Sequence, residues 1–137
     1  MDELGFLTAP DRRLGYLSAQ QLRATRVVVD IGMHCDMEIP TGQPFHPGER
    51  WTPELGRESL LAHGGPDPAF LESEWLRYLG WPGQAIAYKL GERVYLAGRD
   101  GARRARGDAF DLKAWHTAAL GLGPLGLDDL AAELPRL

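Results

Sequence analysis

One stretch of the sequence, from about Arg12 to His34, carries residues at intervals of three and four positions that are apolar except at Gln21. The stripe consists of Leu14, Leu17, Gln21, Ala24, Val28 and Ile31. This spacing places the side chains on one face of an α-helix, and its length outweighs the strand preference of the valines at 27–29. Asp11, which follows Pro10, is the predicted N-cap. The sequence therefore predicts one long amphipathic helix near the start of the chain.

Proline and glycine divide the rest of the chain into shorter segments that also have helical spacing. Expected N-caps are Thr52, Asp67 and either Asp108 or Asp111. The predicted helices cover residues 53–63, 68–80, 82–106, 111–120 and 127–134. Residues 35–51 contain three prolines and two glycines and are predicted to form one long irregular loop, which is uncommon unless it packs or functions. The expected fold is an all-α array of about six helices in a single domain, residues 1–137.

Three sets of side chains are expected to carry the packing of the later helices. They are Leu71, Trp75 and Tyr78; Gly83, Ala87, Leu90, Val94 and Ala97; and Leu112, Trp115 and Ala119. Gly32 stands alone in a bulky part of the first helix, which indicates close approach of another group.

Composition excludes several classes of partner and location. The net charge of −4 argues against nucleic acid, because binding phosphates requires a basic surface. No apolar run approaches the ~20 residues that a membrane-spanning helix needs, and no signal peptide is visible. Cys35 is the only cysteine, so no internal disulfide can form. A reduced, cytoplasmic location is the expectation.

The first helix places Arg26, Asp30 and His34 at successive intervals of four, on one face. A carboxylate one turn before an imidazole can accept its N–H and fix its tautomer, which suits a histidine that binds substrate. The alternative is a surface ion pair at a helix end, and spacing alone favours it.

A second group follows on the third and fourth predicted helices. Glu74, Arg77 and Tyr78 are close in sequence, and Gln84, Tyr88, Gly91 and Tyr95 form one line. Tyrosine hydroxyls and an amide in a row can contact a peptide backbone, and a tyrosine near a scissile carbonyl can stabilise an oxyanion. The alternative is that the tyrosines are packing residues and that Glu74 and Arg77 form a helix-surface pair. Periodicity alone favours this alternative.

Motifs of several hydrolase classes are missing from the sequence. A zincin-type site needs two histidines four residues apart with a glutamate between them, whereas the histidines here are 34, 46, 63 and 116. The sequence also has no glycine-rich phosphate loop and no Gly-x-Ser-x-Gly elbow. The sequence therefore provides no recognised hydrolytic centre.

Three segments together nevertheless resemble the DUF885 family. Leu22–His34 is similar to its Leu-Arg-Ala-x-Arg-Val-Val-x-Asp-x-Gly-x-His helix, and residues 74–91 resemble its Glu-x-x-Arg-Tyr and Pro-Gly-Gln-Ala-x-x-Tyr-Lys-x-Gly blocks. Phe110–His116 resembles Phe-Asp-Leu-Lys-x-Phe-His, with Trp115 in place of the usual phenylalanine. The order and spacing agree over nearly the whole chain.

The resemblance implies a zincin-like helical metallopeptidase, of which this chain would be the C-terminal segment. Family members carry a His-Glu-x-x-Pro-Gly-His-His helix and a later glutamate as zinc ligands, and residues 1–5 resemble the sequence just after that glutamate. Zinc is thus expected in the full-length family, and no metal or other cofactor in this chain. The resemblance implies catalytic roles for Tyr88 and His34 as oxyanion or backbone contacts. The implied substrate-binding residues are Asp30, Arg77, Tyr78, Gln84, Lys89 and His116.

Three functions follow as hypotheses. The first is the substrate-cleft segment of a zinc peptidase, inactive alone, with a peptide-like substrate. The second is a non-catalytic helical module that binds a partner, either the missing zinc-binding half or a second copy of the chain, through exposed apolar surface. The third is a hydrolase that uses His34, Asp30 and Tyr88 without metal.

Overall fold

The computed structural model describes residues 4–137, and these residues contain six α-helices, two short 3₁₀ turns and no named strand. The helices are α1 Pro10–His34, α2 Pro53–His63, α3 Pro68–Gly80, α4 Ala87–Arg106, α5 Leu112–Gly121 and α6 Leu127–Glu133. The predicted all-α array of six helices with one long loop is confirmed. No helix within the described part of the chain is long and apolar enough to cross a bilayer.

The chain divides into two compact units, one that ends at Ala87 and one that spans Tyr88–Leu137. The expectation that residues 1–137 act as one domain stays a prediction. Within the first unit, α2 packs against both α1 and α3. Its core has two clusters: Val29, Ile39, Trp51 and Leu55 form one, and Leu60, Leu71, Tyr78 and Ala85 form the other.

Side-chain caps start three of the helices as the sequence predicts. Thr52 accepts a hydrogen bond from the Leu55 amide, Asp67 accepts from the Ala69 and Phe70 amides, and Asp111 accepts from the Ala114 amide. Each bond satisfies an amide that has no partner inside the first helical turn. The prediction that Asp11 caps α1 is wrong, because the helix begins two residues earlier than predicted, at Pro10, with Ala9 as N-cap. Proline suits this first position because its fixed φ is already helical.

The buried face of α1 differs from the apolar stripe. Thr25, Val29, Asp30 and Gly32 are its buried residues, whereas Leu14, Leu17 and Val28 are more than half exposed. The reason is that Trp51 and α2 pack against the neighbouring stripe: Trp51 lies against Gly32, and Met33 and Val29 lie against Gly56. Gly32 therefore permits the close approach that its isolation in the helix indicates.

Residues 35–52 form the long loop between α1 and α2, and the loop contributes core residues of its own. An isolated antiparallel bridge joins Glu38 and Arg50, and the Ile39 and Trp51 amides donate to the Glu49 and Met37 carbonyls. Ile39 and Trp51 are buried as a result. The loop thus packs onto the helices and is not a free connection.

The predicted start of α4 at Pro82 is wrong. Residues 81–86 form consecutive turns, in which the Gln84 amide donates to the Trp81 carbonyl and Gly83 has φ +79°, so the helix begins only at Ala87. A left-handed glycine cannot continue an α-helix. The proposed seam on α4 is wrong except at Val94, which packs against the core of the second unit, because the buried residues of the helix are Gly98 and Ala102.

The second unit has a core of Ala102, Trp115, Ala119 and Leu134. The Trp115 indole N–H donates to the Leu134 carbonyl over 3.1 Å, which satisfies the polar atom of the most deeply buried aromatic ring in this unit. Leu112, expected to be buried, is 42% exposed because the capped first turn of α5 keeps it at the surface. Gly98 permits Leu134 to approach α4, since a Cβ there would lie 2.4 Å from the Leu134 Cβ.

Candidate functional site

A network of charged side chains joins α1 to α3 within the first unit. Arg26 on α1 donates from Nε to the Tyr78 hydroxyl over 2.5 Å and from Nη2 to the Glu74 carboxylate. The Tyr78 hydroxyl donates in turn to Glu74 Oε2 over 2.6 Å. Arg77 binds the same carboxylate through two nitrogens, at 2.8 and 3.2 Å. One carboxylate on α3 therefore accepts from three side chains, two of them cationic.

Burial separates this network from an ordinary surface ion pair. The side chains of Glu74 and Arg26 are 12% and 11% exposed, and Tyr78 is fully buried. The pair that the spacing of Glu74 and Arg77 predicts does form, but Glu74 is largely buried, so the pair is not confined to the helix surface. Sequence spacing had placed Arg26 with Asp30 and His34 but gave no sign that it crosses to α3.

The network sets the protonation of its members. Burial raises the pKa of Glu74, but hydrogen bonds from Arg77 and Tyr78 and the two guanidinium charges lower it further, so its net pKa lies below the ordinary value. Burial and the bond to Glu74 raise the pKa of Tyr78 well above its ordinary value. The Glu74 carboxylate raises the pKa of Arg77. Glu74 is therefore an anion and Tyr78 a neutral hydrogen-bond donor at neutral pH.

The turn at residues 81–86 adds two contacts. Arg77 Nη1 donates to the Gln84 side-chain carbonyl, and the Gly83 amide donates to Asp30 Oδ2 over 2.9 Å. Gly83 has a left-handed conformation, and the turns that contain it direct its amide toward the Asp30 carboxylate. The distant helix α1 thus meets α3 and the turn that directly follows α3 at one place.

Asp30 and His34 lie at the edge of the network. Asp30 is 2% exposed, and its Oδ1 has no hydrogen-bond partner among residues 4–137. His34 Nε2 is 3.7 Å from this oxygen, too far for a hydrogen bond, and donates instead to the Tyr78 carbonyl over 3.0 Å. The expected bond from His34 to Asp30 is therefore absent from this structure, although a fixed tautomer does result. With Nε2 occupied as a donor, the neutral imidazole presents Nδ1 as an acceptor.

Five of the eight predicted site residues meet at this place: His34, Asp30, Arg77, Tyr78 and Gln84. The other three lie in the second unit. Tyr88 is 55% exposed, and Lys89 pairs with Glu92 over 2.7 Å. His116 Nδ1 is 2.9 Å from the Tyr95 hydroxyl, within hydrogen-bond distance.

The zinc that the family resemblance implies does not fit the described residues. Within residues 4–137, no group of three or more His, Cys, Asp or Glu side chains lies close enough to hold a metal ion. His46 comes nearest, with Glu49 at Nδ1 and Glu58 at Nε2, each 3.0 Å away. These two nitrogens lie on opposite sides of one ring, so the carboxylates cannot share an ion with it.

His46 and its two carboxylates instead form a pH-dependent tie between the loop and α2. The His46 ring donates hydrogen bonds to Glu58 and Glu49, and these bonds, the one to Glu58 most of all, raise the pKa of His46 above the ordinary 6.5. A raised pKa in the folded state means that this tie contributes full stability below pH 6.5 and loses it as the pH rises through the raised pKa. We expect Glu58→Gln to lower the His46 pKa, measured by NMR titration of the ring protons.

Glu54→Gln is the control for this titration, because Glu54 bonds to Thr52 and to backbone at the start of α2. It should leave the His46 pKa unchanged. A wild-type pKa at or below 6.5, or one that Glu58→Gln does not move, would contradict the tie.

The comparisons with known proteins establish the family. No curated protein matches the chain. The family model described as "Bacterial protein of unknown function (DUF885)" matches residues 1–134, which is nearly the entire sequence. On this match, the chain belongs to the DUF885 family.

Proposed function

We propose that this chain is the C-terminal, substrate-binding part of a zincin-like peptidase of the DUF885 family, with no hydrolytic activity alone. The observation that carries the proposal is the assembly of α1, α3 and the 81–86 turn around Glu74, which joins two of the three segments that resemble family motifs, residues 22–34 and 74–91. Buried carboxylate oxygens in structural ion pairs nearly always accept a hydrogen bond, whereas Asp30 Oδ1 has no donor among the residues that the structure describes.

The accessible members of the network are the ones suited to bind a peptide. Arg77 and His34 have side chains that are 31% and 25% exposed, whereas Glu74 and Arg26 are nearly buried. Arg77 and Gln84 can contact peptide carbonyls, and His34 Nδ1 can accept from a peptide N–H. Glu74 and Tyr78 hold the Arg77 guanidinium in place, so they act as positioning residues.

Two roles extend beyond this network. We assign the exposed Tyr88 hydroxyl as a donor to the developing oxyanion, and Lys89 and His116 as further substrate contacts, on the family resemblance. Because the described residues do not fit zinc, we assign this chain binding and positioning of a peptide and no activation of water. Cytoplasmic location stays a prediction.

Casein and end-blocked hexapeptides are the probes for this proposal. We expect the purified chain to bind hexapeptides without hydrolysing them, with or without added zinc, and Arg77→Ala to weaken binding about tenfold, equivalent to about 1.4 kcal/mol. Arg57→Ala is the matched control, because Arg57 also pairs with an α3 carboxylate, Glu72, but at the surface. Binding is measured by NMR shifts and hydrolysis by mass spectrometry.

Each outcome decides between the functions. No saturable hexapeptide binding, or equal loss in both variants, would overturn the cleft proposal. Hydrolysis that a chelator does not affect and that His34→Ala abolishes would establish the metal-independent hydrolase. Tightly bound zinc in stoichiometric amount would overturn the proposal that this chain binds and positions a peptide without activating water.

Exposed apolar residues on α1 favour a second function, a helical module that binds a partner. Leu14 and Leu17 are 69% and 55% exposed and lie one turn apart. A second copy of the chain is one such partner. Light scattering of the purified chain tests self-association. A wild-type dimer that becomes a monomer in the double variant Leu14→Asp, Leu17→Asp would support it, and a wild-type monomer would contradict it.

A further inference from the structure

A cavity of about 570 Å³ lies within the first unit, lined by residues of α1, the loop and α2. Val28 on α1, Phe45 and Trp51 of the loop, and His63 on α2 are among the residues that line it. Its volume falls within the range of ~300–1,000 Å³ that is typical of small-molecule sites. None of the charged-network residues Arg26, Asp30, His34 and Glu74 is part of its lining.

The chemistry of the lining selects the charge of a ligand. Among the described residues that line the cavity, none is an aspartate, glutamate, lysine or arginine. A charged ligand would lose hydration there without gaining an opposite charge, which is unfavourable in the way that burying an unpaired ion is. The lining therefore favours a molecule without formal charge.

Aromatic rings and one histidine define the shape and the polar contact. The Phe45 and Trp51 rings lie 5.7 Å apart between centroids and 27° from parallel, which forms an apolar wall of two nearly aligned rings. His63 Nδ1 lies 3.0 Å from the Ser59 carbonyl and must donate to it, so the neutral ring has Nε2 as its acceptor. A ligand with a planar apolar body and one hydroxyl or amide donor matches both features.

We propose that this cavity is a binding site for a small, uncharged aromatic molecule that carries one hydrogen-bond donor. Phe45 and Trp51 contact its planar body, and His63 Nε2 accepts from its donor. The site is independent of the proposed peptidase role, because it uses different residues and requires neither peptide nor metal.

Calorimetric titration with three probes of the same shape tests the charge preference. The probes are 2-naphthalenemethanol, 2-naphthoate and 2-naphthylmethylammonium. We expect the neutral alcohol to bind at least about tenfold more tightly than either ion, a difference of about 1.4 kcal/mol. Equal binding of an ion, or no saturable binding of the alcohol up to its solubility, would overturn the proposal.

Variants locate the binding. Val28→Trp fills the cavity from α1 and should weaken binding of the alcohol at least about tenfold, or about 1.4 kcal/mol. Leu14→Trp is the control, because it adds the same ring to an exposed position of the same helix outside the lining. Ala24→Phe, also on the lining, provides a second test if Val28→Trp does not fold. Wild-type affinity in a folded lining variant would overturn the location.

A methyl ether of the alcohol tests the histidine. The wild-type chain should prefer the alcohol to the ether, which has no donor, and His63→Ala should remove this preference while retaining affinity for the ether. A preference that persists in His63→Ala would overturn the assigned role of Nε2.

Discussion

Replacing Gly32 with alanine is expected to lower the free energy of unfolding by about 2 kcal/mol. A Cβ at this position would lie 2.6–2.7 Å from three atoms of the Trp51 indole, closer than real Cβ contacts occur. Overpacking of this kind typically costs ~1–3 kcal/mol, and the gain in helix propensity of up to ~1 kcal/mol offsets only part of it. Trp51 is 9% exposed and belongs to the first core cluster, so it has little room to move. Chemical denaturation followed by circular dichroism measures the change.

Gly15→Ala is the matched control in the same helix. Nothing lies within 4 Å of a Cβ built at Gly15, so alanine there should stabilise the protein by about 0.5–1 kcal/mol through helix propensity alone. Opposite signs at two glycines of α1 would show that the close approach of Trp51, and not the helix, determines the effect. Stabilisation by Gly32→Ala would contradict the packing described here.

Glu74→Ala is expected to lower the free energy of unfolding by about 3 kcal/mol, the usual cost of breaking a buried ion pair from one side. The substitution leaves Arg26 as a largely buried cation and removes the acceptor of the Tyr78 hydroxyl. Arg77 also loses both of its hydrogen bonds to Glu74 and should bind peptide less well. Denaturant unfolding reports the first effect and hexapeptide titration the second.

Glu72→Ala separates burial from charge on the same helix. Glu72 also binds an arginine, Arg57, through both oxygens, but these side chains are 36% and 48% exposed. Its loss should cost ~0–1 kcal/mol, because solvent screens surface pairs. Equal losses for Glu72→Ala and Glu74→Ala would contradict the distinction that burial makes between the two pairs.

Acidification provides an independent check on Glu74. Its pKa lies below the ordinary 4.5 in the folded protein, so its contribution to stability is present above pH 4.5 and is lost as the pH falls through the lowered pKa. Part of the acid sensitivity of the wild type should therefore be missing in Glu74→Gln.

Local chemistry explains which parts of the fold the sequence could predict. Thr52, Asp67 and Asp111 mark helix starts because a short polar side chain satisfies nearby amides, and this requires no knowledge of the rest of the fold. The start of α4 could not be predicted in this way. Pro82 fits a first helical turn, but the left-handed Gly83 and the bond from its amide to Asp30, 53 residues earlier, determine the local path.

The candidate site shows the same limit. Intervals of three and four along α1 and α3 correctly grouped Asp30 with His34, and Glu74 with Arg77 and Tyr78, because residues at these spacings share a helix face. The pairing of Arg26 with Glu74 depends on how two helices pack, and no interval in the sequence encodes it. The prediction of which face of α1 is buried was wrong for the same reason. Trp51 of the loop packs on a stripe of mixed polarity that the apolar pattern does not mark.

The loop at residues 35–52 has a consequence for anyone who edits or cleaves this protein. Surface connections generally tolerate deletion and insertion because they can be removed without touching the interior. Here Ile39 and Trp51 make the connection part of the interior. Deleting the segment from Ile39 to Trp51 would therefore uncover Val29 and Leu55, which pack in the same cluster. A protease cut at the exposed Gly42 would, in contrast, leave both anchors attached to the helices on either side, and the nicked chain should remain assembled.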